Sequence, residues 1–322
     1  MTDHSRLPSA PPAAEAARAR RASLLERAGG GADWRRLSTP ETALPAEPAP
    51  LPAPFAPALS TPSAPAPIEA APPPQVFRGT FHVIDRGHLR EQGVIEPEGP
   101  VTGLLEELRI IKRQLLLTAA AARGGRGSAY GMRILISSAL PGAGKTFCSV
   151  NLALSMAAEK DTEVLLVDAD FAKPSVLSTL GLPGGPGLLD ALSDPRVAVE
   201  DCILGTDVSG LFVLPAGNST GNDTELLASA RTAVVLDRLT AHSPNRVVIF
   251  DSSPVLAASQ AIALAHHVGQ TVVVVRADMT GEAALRDAVG LLSGCADIKL
   301  LLNAVHFSPS GRRFGTYYGY KE

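Results

Sequence analysis

Lys145 and Thr146 close the segment Pro141-Gly142-Ala143-Gly144-Lys145-Thr146, an order of residue types suited to holding a phosphate. The segment follows the apolar run ILIS and precedes a stretch with helical apolar spacing, so it reads as a loop between a strand and a helix that begins at Lys145. In such a loop the backbone N–H groups and the helix N-terminus face the anion. The lysine ammonium reaches the β- and γ-phosphates, and the threonine hydroxyl ligates magnesium. Phe147 continues the helix and completes the candidate nucleotide-binding run. A strict GxxxxGK(S/T) pattern is not met, because Ala139 stands where the first glycine belongs. The strand-to-helix setting therefore carries the assignment.

Acids follow at two places. VLLVDAD ends an apolar run with Asp168 and Asp170, whose alternate spacing at a strand end turns both carboxylates to one side. Beside a bound magnesium nucleotide, two such acids can hold the metal and accept a hydroxyl proton. VVIFDSSP places Asp251 at the end of another apolar run, where it can steady the magnesium shell. Singly, an aspartate after a strand is a turn former or a helix cap. Three of them at strand ends behind a phosphate loop imply instead a catalytic set of Lys145, Asp168, Asp170 and Asp251. The corresponding metal set is Thr146 with the three acids.

Three of the four tyrosines, Tyr317, Tyr318 and Tyr320, lie in the last six residues. Concentrating them in a glycine-flanked terminus withholds most of the supply from core packing, where the ring would ordinarily serve. A nucleotide engine with such a tail suggests a self-phosphorylating kinase; an aromatic end that docks on a partner or on its own domain is the alternative.

The elements that must position these residues are legible as apolar blocks. Strands are expected at 133–137, 163–167, 211–214, 246–250, 271–275 and 299–302, mostly continuous Val/Ile/Leu runs without polar alternation. Such strands are covered on both faces, which predicts an α/β fold with a doubly wound, mostly parallel sheet and ligands at the strands' C-terminal ends. Crossover helices are expected near 145–158, 224–240, 259–268 and 281–292. A further helix, GLLEELRIIKRQLLLTAAAA, precedes the first strand. Leu104, Leu108, Ile111 and Leu115 share one face, while Glu106, Arg109, Lys112 and Arg113 are expected to point outward, as a solvated face or an oligomer contact.

Sixteen of the 27 prolines precede Val76, so residues 29–76 are expected to be an extended Pro/Ala-rich linker without a core. Residues 1–28 form a basic arm, a possible short amphipathic helix with Leu24 and Leu25 among Arg18, Arg20, Arg21 and Arg27, serving solubility or docking. The catalytic domain is expected over 77–310 and the tyrosine tail over 311–322. A net charge of −3 argues against a nucleic-acid partner. Cys148, Cys202 and Cys295 lack CxxC or metal spacing and read as small buried residues of a reducing compartment. The first residues lack an apolar signal core and no run of 18 apolar residues follows, which predicts a cytoplasmic chain.

ALPGAGKT, LLVDAD and VVIFDSSP resemble the Walker A, Walker A′ and Walker B motifs of the bacterial protein-tyrosine kinases of exopolysaccharide systems. The resemblance covers about residues 80–322; EELRIIKRQLL, VGQTVVVV, LLNAV and the tail look most like the subgroup found with exosortase/PEP-CTERM polysaccharide loci. It implies a P-loop NTPase of the deviant Walker type shared with MinD- and ParA-like proteins, with ATP and Mg2+ as cofactors. The implied activity is non-specific protein-tyrosine kinase, with phosphorylation of Tyr317, Tyr318 and Tyr320 between subunits. In the family an ExxRxxR-type helix helps build a ring-like homo-oligomer; Glu106, Arg109 and Lys112 match that spacing, Lys112 as a departure. Asn303 is a family-like candidate for an adenine contact, although a cap or turn would suit it equally. The family's DxDxR pattern is also broken, with Ala172 at the basic position and Lys173 next to it as the candidate substitute. Activation in the family commonly comes from the cytoplasmic end of a chain-length-determinant membrane protein. The resemblance therefore implies a separate membrane adaptor and a location peripheral to the inner membrane.

Two rivals share these features. A partition or Min-type ATPase uses a second lysine early in its loop, where this chain has Leu140. A scaffold that binds nucleotide and transfers nothing would not need intact acids.

Overall fold

Val, Ile and Leu fill β2 (Arg133–Ser138), β3 (Glu163–Ala169), β5 (Leu211–Leu214), β6 (Arg246–Ser252) and β7 (Gln270–Arg276) with almost no polar alternation, and β8 (Ile298–Asn303) closes the series. The computed structural model describes Phe77, residues 79–241 and residues 243–305; the expectations for the basic arm, the linker and the tyrosine tail lie outside these. The six strands stand in the order β5-β3-β6-β2-β7-β8, each parallel to its neighbours. Two short strands extend the sheet past β5: β4 (Leu204–Thr206), antiparallel to β5, and β1 (Phe81–His82), parallel to β4. With two and three residues, neither offers a period to detect in the sequence.

Alternation along each strand divides the core into two layers. In β3, Leu165, Val167 and Ala169 enter one layer while Val164 and Leu166 enter the other; in β6, Val248 and Phe250 oppose Val247 and Ile249 in the same way. Each fully buried Val, Leu, Ile or Phe among them contributes roughly 1.5–3 kcal/mol. The layer containing Val164 and Ile249 also holds α3 (Lys145–Ala157), the crossover from β2 to β3. That helix is buried almost all round, since α2 (Gly103–Arg123) covers its outer side.

The segment expected as one helix over 224–240 is two, α6 (Asp223–Leu227) and α7 (Ala230–Ala241). The Ser229 hydroxyl donates to the Leu226 carbonyl at 2.7 Å and the Thr232 hydroxyl to the same oxygen at 2.8 Å. Side chains thus occupy the acceptor that the next helical turn would have used. Short helices α1 (Arg86–Glu91), α4 (Val176–Leu180), α5 (Leu188–Ser193) and α8 (Gln260–Ala265), together with α9 (Glu282–Leu291), complete the described α-helices, and a 3-10 turn spans Val199–Cys202.

α2 corrects one expectation. Leu108 and Leu115 are buried, and Leu104 and Ile111 pack on the same core, as their spacing predicts. Lys112 does not point outward with Glu106 and Arg109. It lies four residues after Leu108 and three before Leu115, on the buried face, and its ammonium donates to the Ser155 carbonyl at 2.8 Å and pairs with Glu159 at 2.7 Å. Its alkyl stem replaces an apolar residue in the contact with α3 and its charge is met at the end of that helix. Lys112→Glu should therefore destabilise the fold by about 2–4 kcal/mol, by setting a carboxylate against a carbonyl and Glu159. Arg109, paired with Glu106 on the exposed side, should tolerate the same change at a cost of at most about 1 kcal/mol. Urea unfolding of the two variants checks this, and equal midpoints would contradict the burial of Lys112.

Candidate active site

Parity along the strands assembles the acids. Asp168 shares its face of β3 with Leu166, and Asp251 shares its face of β6 with Ile249, so both carboxylates lie on the side covered by α3. The register makes them direct neighbours, since Asp168 pairs with Asp251 across β3 and β6. Both stand at the C-terminal ends of their strands, where the chain reverses its direction of winding and ligands are expected. Asp168 is 1% exposed, Asp170 8% and Asp251 0%.

The loop after β2 delivers its residues to the same place. Gly142 and Gly144 have φ of +78° and +91°, conformations that ordinary side chains avoid. Gly144 leads into α3, whose first residue, Lys145, is largely buried. The Thr146 hydroxyl donates to Asp251 Oδ2 at 2.6 Å, and the Ser149 hydroxyl, one turn further along α3, donates to Asp251 Oδ1 at 2.9 Å. The hydroxyls of Thr146 and Ser175 are 2.8 Å apart. Asp168 accepts the backbone N–H groups of Ser175 and Val176 on Oδ2 at 2.9 and 3.0 Å and that of Asp170 on Oδ1 at 3.3 Å. Asp170 Oδ1 accepts the Lys173 N–H at 3.2 Å.

Burial pushes the Asp168 carboxyl up to about 6, against the backbone N–H groups of Val176, Asp170 and Ser175, and the charge of Asp170 adds to the rise. Burial also pushes Asp251 up to about 7; the Thr146 and Ser149 hydroxyls and Lys145 oppose this, while Asp168 adds to it. Adjacent buried carboxylates with one lysine nearby are a donor set that a divalent cation satisfies. Among the described residues no three acidic, His or Cys side chains close into a metal cage. Magnesium does not need one, since it takes most of its ligands from phosphate and water and only one or two from protein. The open space at Gly142, where an added Cβ would meet nothing within 4 Å, leaves room for a phosphate beside the loop.

The raised values set a pH dependence. A carboxyl ordinarily near 3.9 that titrates at about 6 or 7 when folded binds more protons in the folded state. These two groups therefore lower the stability of the nucleotide-free chain as pH rises from about 4 to about 7. A divalent cation favours the charged forms, so the thermal stabilisation given by saturating Mg-ADP should grow between about pH 5.5 and about pH 8. The growth should be reduced in Asp251→Asn to the part that Asp168 supplies. Equal shifts at both pH values in the parent protein would separate these acids from the nucleotide.

The remaining expected residues fall in three groups. Pro141 and Ala143 lie in the loop between β2 and α3, and Asn303, the last residue of β8, donates from Nδ2 to the Ala143 carbonyl at 2.8 Å. Phe147 turns into the layer beneath α2, half-buried against its core. Ala172 and Lys173 are exposed, and Glu106 and Arg109 form an ion pair on α2. Three contributors were not foreseen. Ser149 could have been found from its position one turn after Lys145 on the same helix, whereas Ser175 and Arg276 carry no local signal. Arg276 ends β7 and donates from Nη1 to the Gly142 carbonyl at 2.8 Å.

Comparison with known proteins gives these residues a setting. Residues 132–293, about half of the chain, match a family described as AAA domain. The chain is 31% identical over 172 residues to "Tyrosine-protein kinase ptk" of Acinetobacter johnsonii, covering 53% of this chain and 22% of that protein. It is 30% identical over 192 residues to "Tyrosine-protein kinase YwqD" of Bacillus subtilis (strain 168), covering 59% of this chain and 78% of that one. The chain thus spans less than a quarter of the first of these relatives and most of the second. Among solved structures it is similar to the BceF tyrosine kinase domain, with a TM-score of 0.52 and 30% identity over 61% of this chain and 76% of that one. Identity of 30% over more than three quarters of the length of YwqD and of the BceF kinase domain, together with the matched domain family, shows the ancestry: the chain belongs to the bacterial tyrosine-kinase family.

Proposed function

We propose that this chain is an ATP-dependent protein-tyrosine autokinase. It phosphorylates Tyr317, Tyr318 and Tyr320 between subunits of a ring-like homo-oligomer and thereby regulates exopolysaccharide synthesis or export. The observation that carries this reading is the register pairing of Asp168 with Asp251 beside Lys145 and Thr146, in a chain similar to proteins named as tyrosine kinases.

Each residue has a definable task. Magnesium-ATP, when bound, supplies the transferable γ-phosphoryl group. The glycines of the loop let its backbone approach the phosphates, and Thr146 with Asp251 would hold the magnesium ion. Asp168 or Asp170 takes the proton from the tyrosine hydroxyl as its oxygen bonds to phosphorus, and Lys145 offsets the charge left on the diphosphate oxygen as the old bond breaks. Glu106 and Arg109 on the exposed side of α2 are the candidate subunit contact. Lys112 acts there through the packing of the helix. A separate membrane adaptor of the chain-length-determinant type would hold the chain at the cytoplasmic side of the inner membrane. Among the described residues no helix is long and apolar enough to cross a membrane.

The test is to incubate the purified full chain with magnesium-ATP, with and without the cytoplasmic segment of such an adaptor, and to measure ATP turnover and phosphotyrosine together. Phosphotyrosine that rises with the adaptor is expected. Turnover without phosphotyrosine would return the chain to the partition-type ATPases, and nucleotide binding with neither would make it a scaffold.

A further inference from the structure

The phosphate loop is tied at two consecutive carbonyls to the ends of β7 and β8, the two strands beside β2 on one side of the sheet. Arg276 donates from its guanidinium to the Gly142 carbonyl at 2.8 Å, and Asn303 donates from its amide to the Ala143 carbonyl at 2.8 Å. The two donors are not independent: they are the last residues of β7 and β8 and are direct register partners. Their backbones are locked by the Ala277 N–H on the Asn303 carbonyl at 2.9 Å and by the Arg276 N–H on the Thr280 hydroxyl at 3.1 Å.

A trans peptide directs its N–H opposite to its C=O. Holding the Gly142 and Ala143 carbonyls toward the ends of β7 and β8 therefore turns the N–H groups of Ala143 and Gly144 the other way. Among the described residues nothing accepts from either N–H. Two successive free N–H groups beside a left-handed glycine form a concavity suited to an anion. A side chain at Gly144 would be strained by its φ of +91°, and its Cβ would stand 2.3 Å from the Asn303 amide nitrogen and displace that amide from the loop. Strain marks the same place. Three non-glycine residues have positive φ among those described, and two of them, Asp278 at 60° and Ala304 at 55°, lie two residues after the end of β7 and one after the end of β8. Backbone held in this way persists where surrounding contacts over-determine it, commonly at ligand sites.

We propose that Arg276 and Asn303 form a clamp that presets the phosphate loop for a nucleoside di- or triphosphate. Arg276 is a positioning residue that acts through a hydrogen bond to the loop carbonyl rather than through its charge. This rests on the reading of the loop as a phosphate site, adds Arg276 to it and gives Asn303 a task on the loop in place of an adenine contact.

The experiment measures Mg-ADP affinity by titration calorimetry on the full chain and on Arg276→Ala, Arg276→Gln, Arg276→Lys and Asn303→Asp, with melting temperatures in the absence of nucleotide. Arg276→Ala should weaken Mg-ADP about tenfold with its nucleotide-free melting temperature unchanged. Arg276→Gln, which keeps an N–H donor and removes the charge, should recover most of that loss. Asn303→Asp replaces a donor by an acceptor facing a carbonyl and should weaken Mg-ADP at least as much as Arg276→Ala. Parent-like affinity in both Arg276→Ala and Asn303→Asp would overturn the clamp. So would loss in Arg276→Gln equal to that in Arg276→Ala with recovery in Arg276→Lys, since charge would then be the active property. If Arg276→Ala melts early, Asn303→Asp and the comparison of Gln with Lys still decide. A parent chain that binds no Mg-ADP would instead fail the phosphate-site reading itself.

Discussion

Lys145→Met should leave a folded protein with phosphotyrosine formation reduced at least about 10²-fold, the scale of losing one fixed charge-stabilising donor. Lys145 opens α3 and is 8% exposed, so its stem packs much as a methionine would, and the core layers beneath it do not depend on the ammonium. What disappears is the positive charge at the phosphate end of the loop, where negative charge accumulates during transfer. The same ammonium favours the ionised form of Asp251, so its removal should also raise that carboxyl's proton affinity and weaken magnesium retention. Anti-phosphotyrosine signal under magnesium-ATP, beside the melting temperature, checks both halves. Undiminished signal from a folded variant would remove the loop from the mechanism.

Changing Tyr317, Tyr318 and Tyr320 together to Phe should nearly abolish self-labelling while Mg-ATP binding persists. The substitution deletes every tyrosine hydroxyl in the tail, leaving only that of Thr316, and keeps most of the aromatic surface, so it separates tyrosine phosphorylation from docking. If transfer runs between subunits, the triple variant should phosphorylate a Lys145→Met chain whose own tail is intact. Each phosphate adds roughly −1.5 to −2 charges at neutral pH. A modified tail is therefore repelled from a site that carries Asp168, Asp170 and Asp251, and the oligomer should loosen. Light scattering after ATP should find the parent protein dissociating and the triple variant intact. Phosphate mapped mainly to Tyr130 would leave the tail as a docking element. Tyr130 precedes β2, at the end of the sheet opposite to the loop.

How much of this was legible in the residues follows from the range of each signal. The six longer strands could be read because a strand covered on both faces is a continuous apolar run, and their centres lie where those runs lie. The loop could be read because phosphate binding by backbone needs glycine and a following helix, both local properties. β1 and β4 could not, since a strand of two or three residues is made by its neighbour's hydrogen bonds and not by its own period. Lys112 reads as outward by residue type alone, but its spacing from Leu108 and Leu115 puts it on the buried face, and the groups that make burial tolerable, the Ser155 carbonyl and Glu159, come from the last turn of α3 and the turn after it.

The sequence by itself determined the fold class, the phosphate loop and the three acids, because strand burial, backbone access and carboxylates at strand ends are written in runs of a few consecutive residues. Tertiary structure alone decided that Asp168 and Asp251 are cross-strand partners, that Ser149 and Ser175 complete the hydroxyl shell, and that Arg276 and Asn303 hold the loop carbonyls from β7 and β8. Those contacts join residues from 29 to 160 positions apart only through strand order and register, and neither is encoded in any local window.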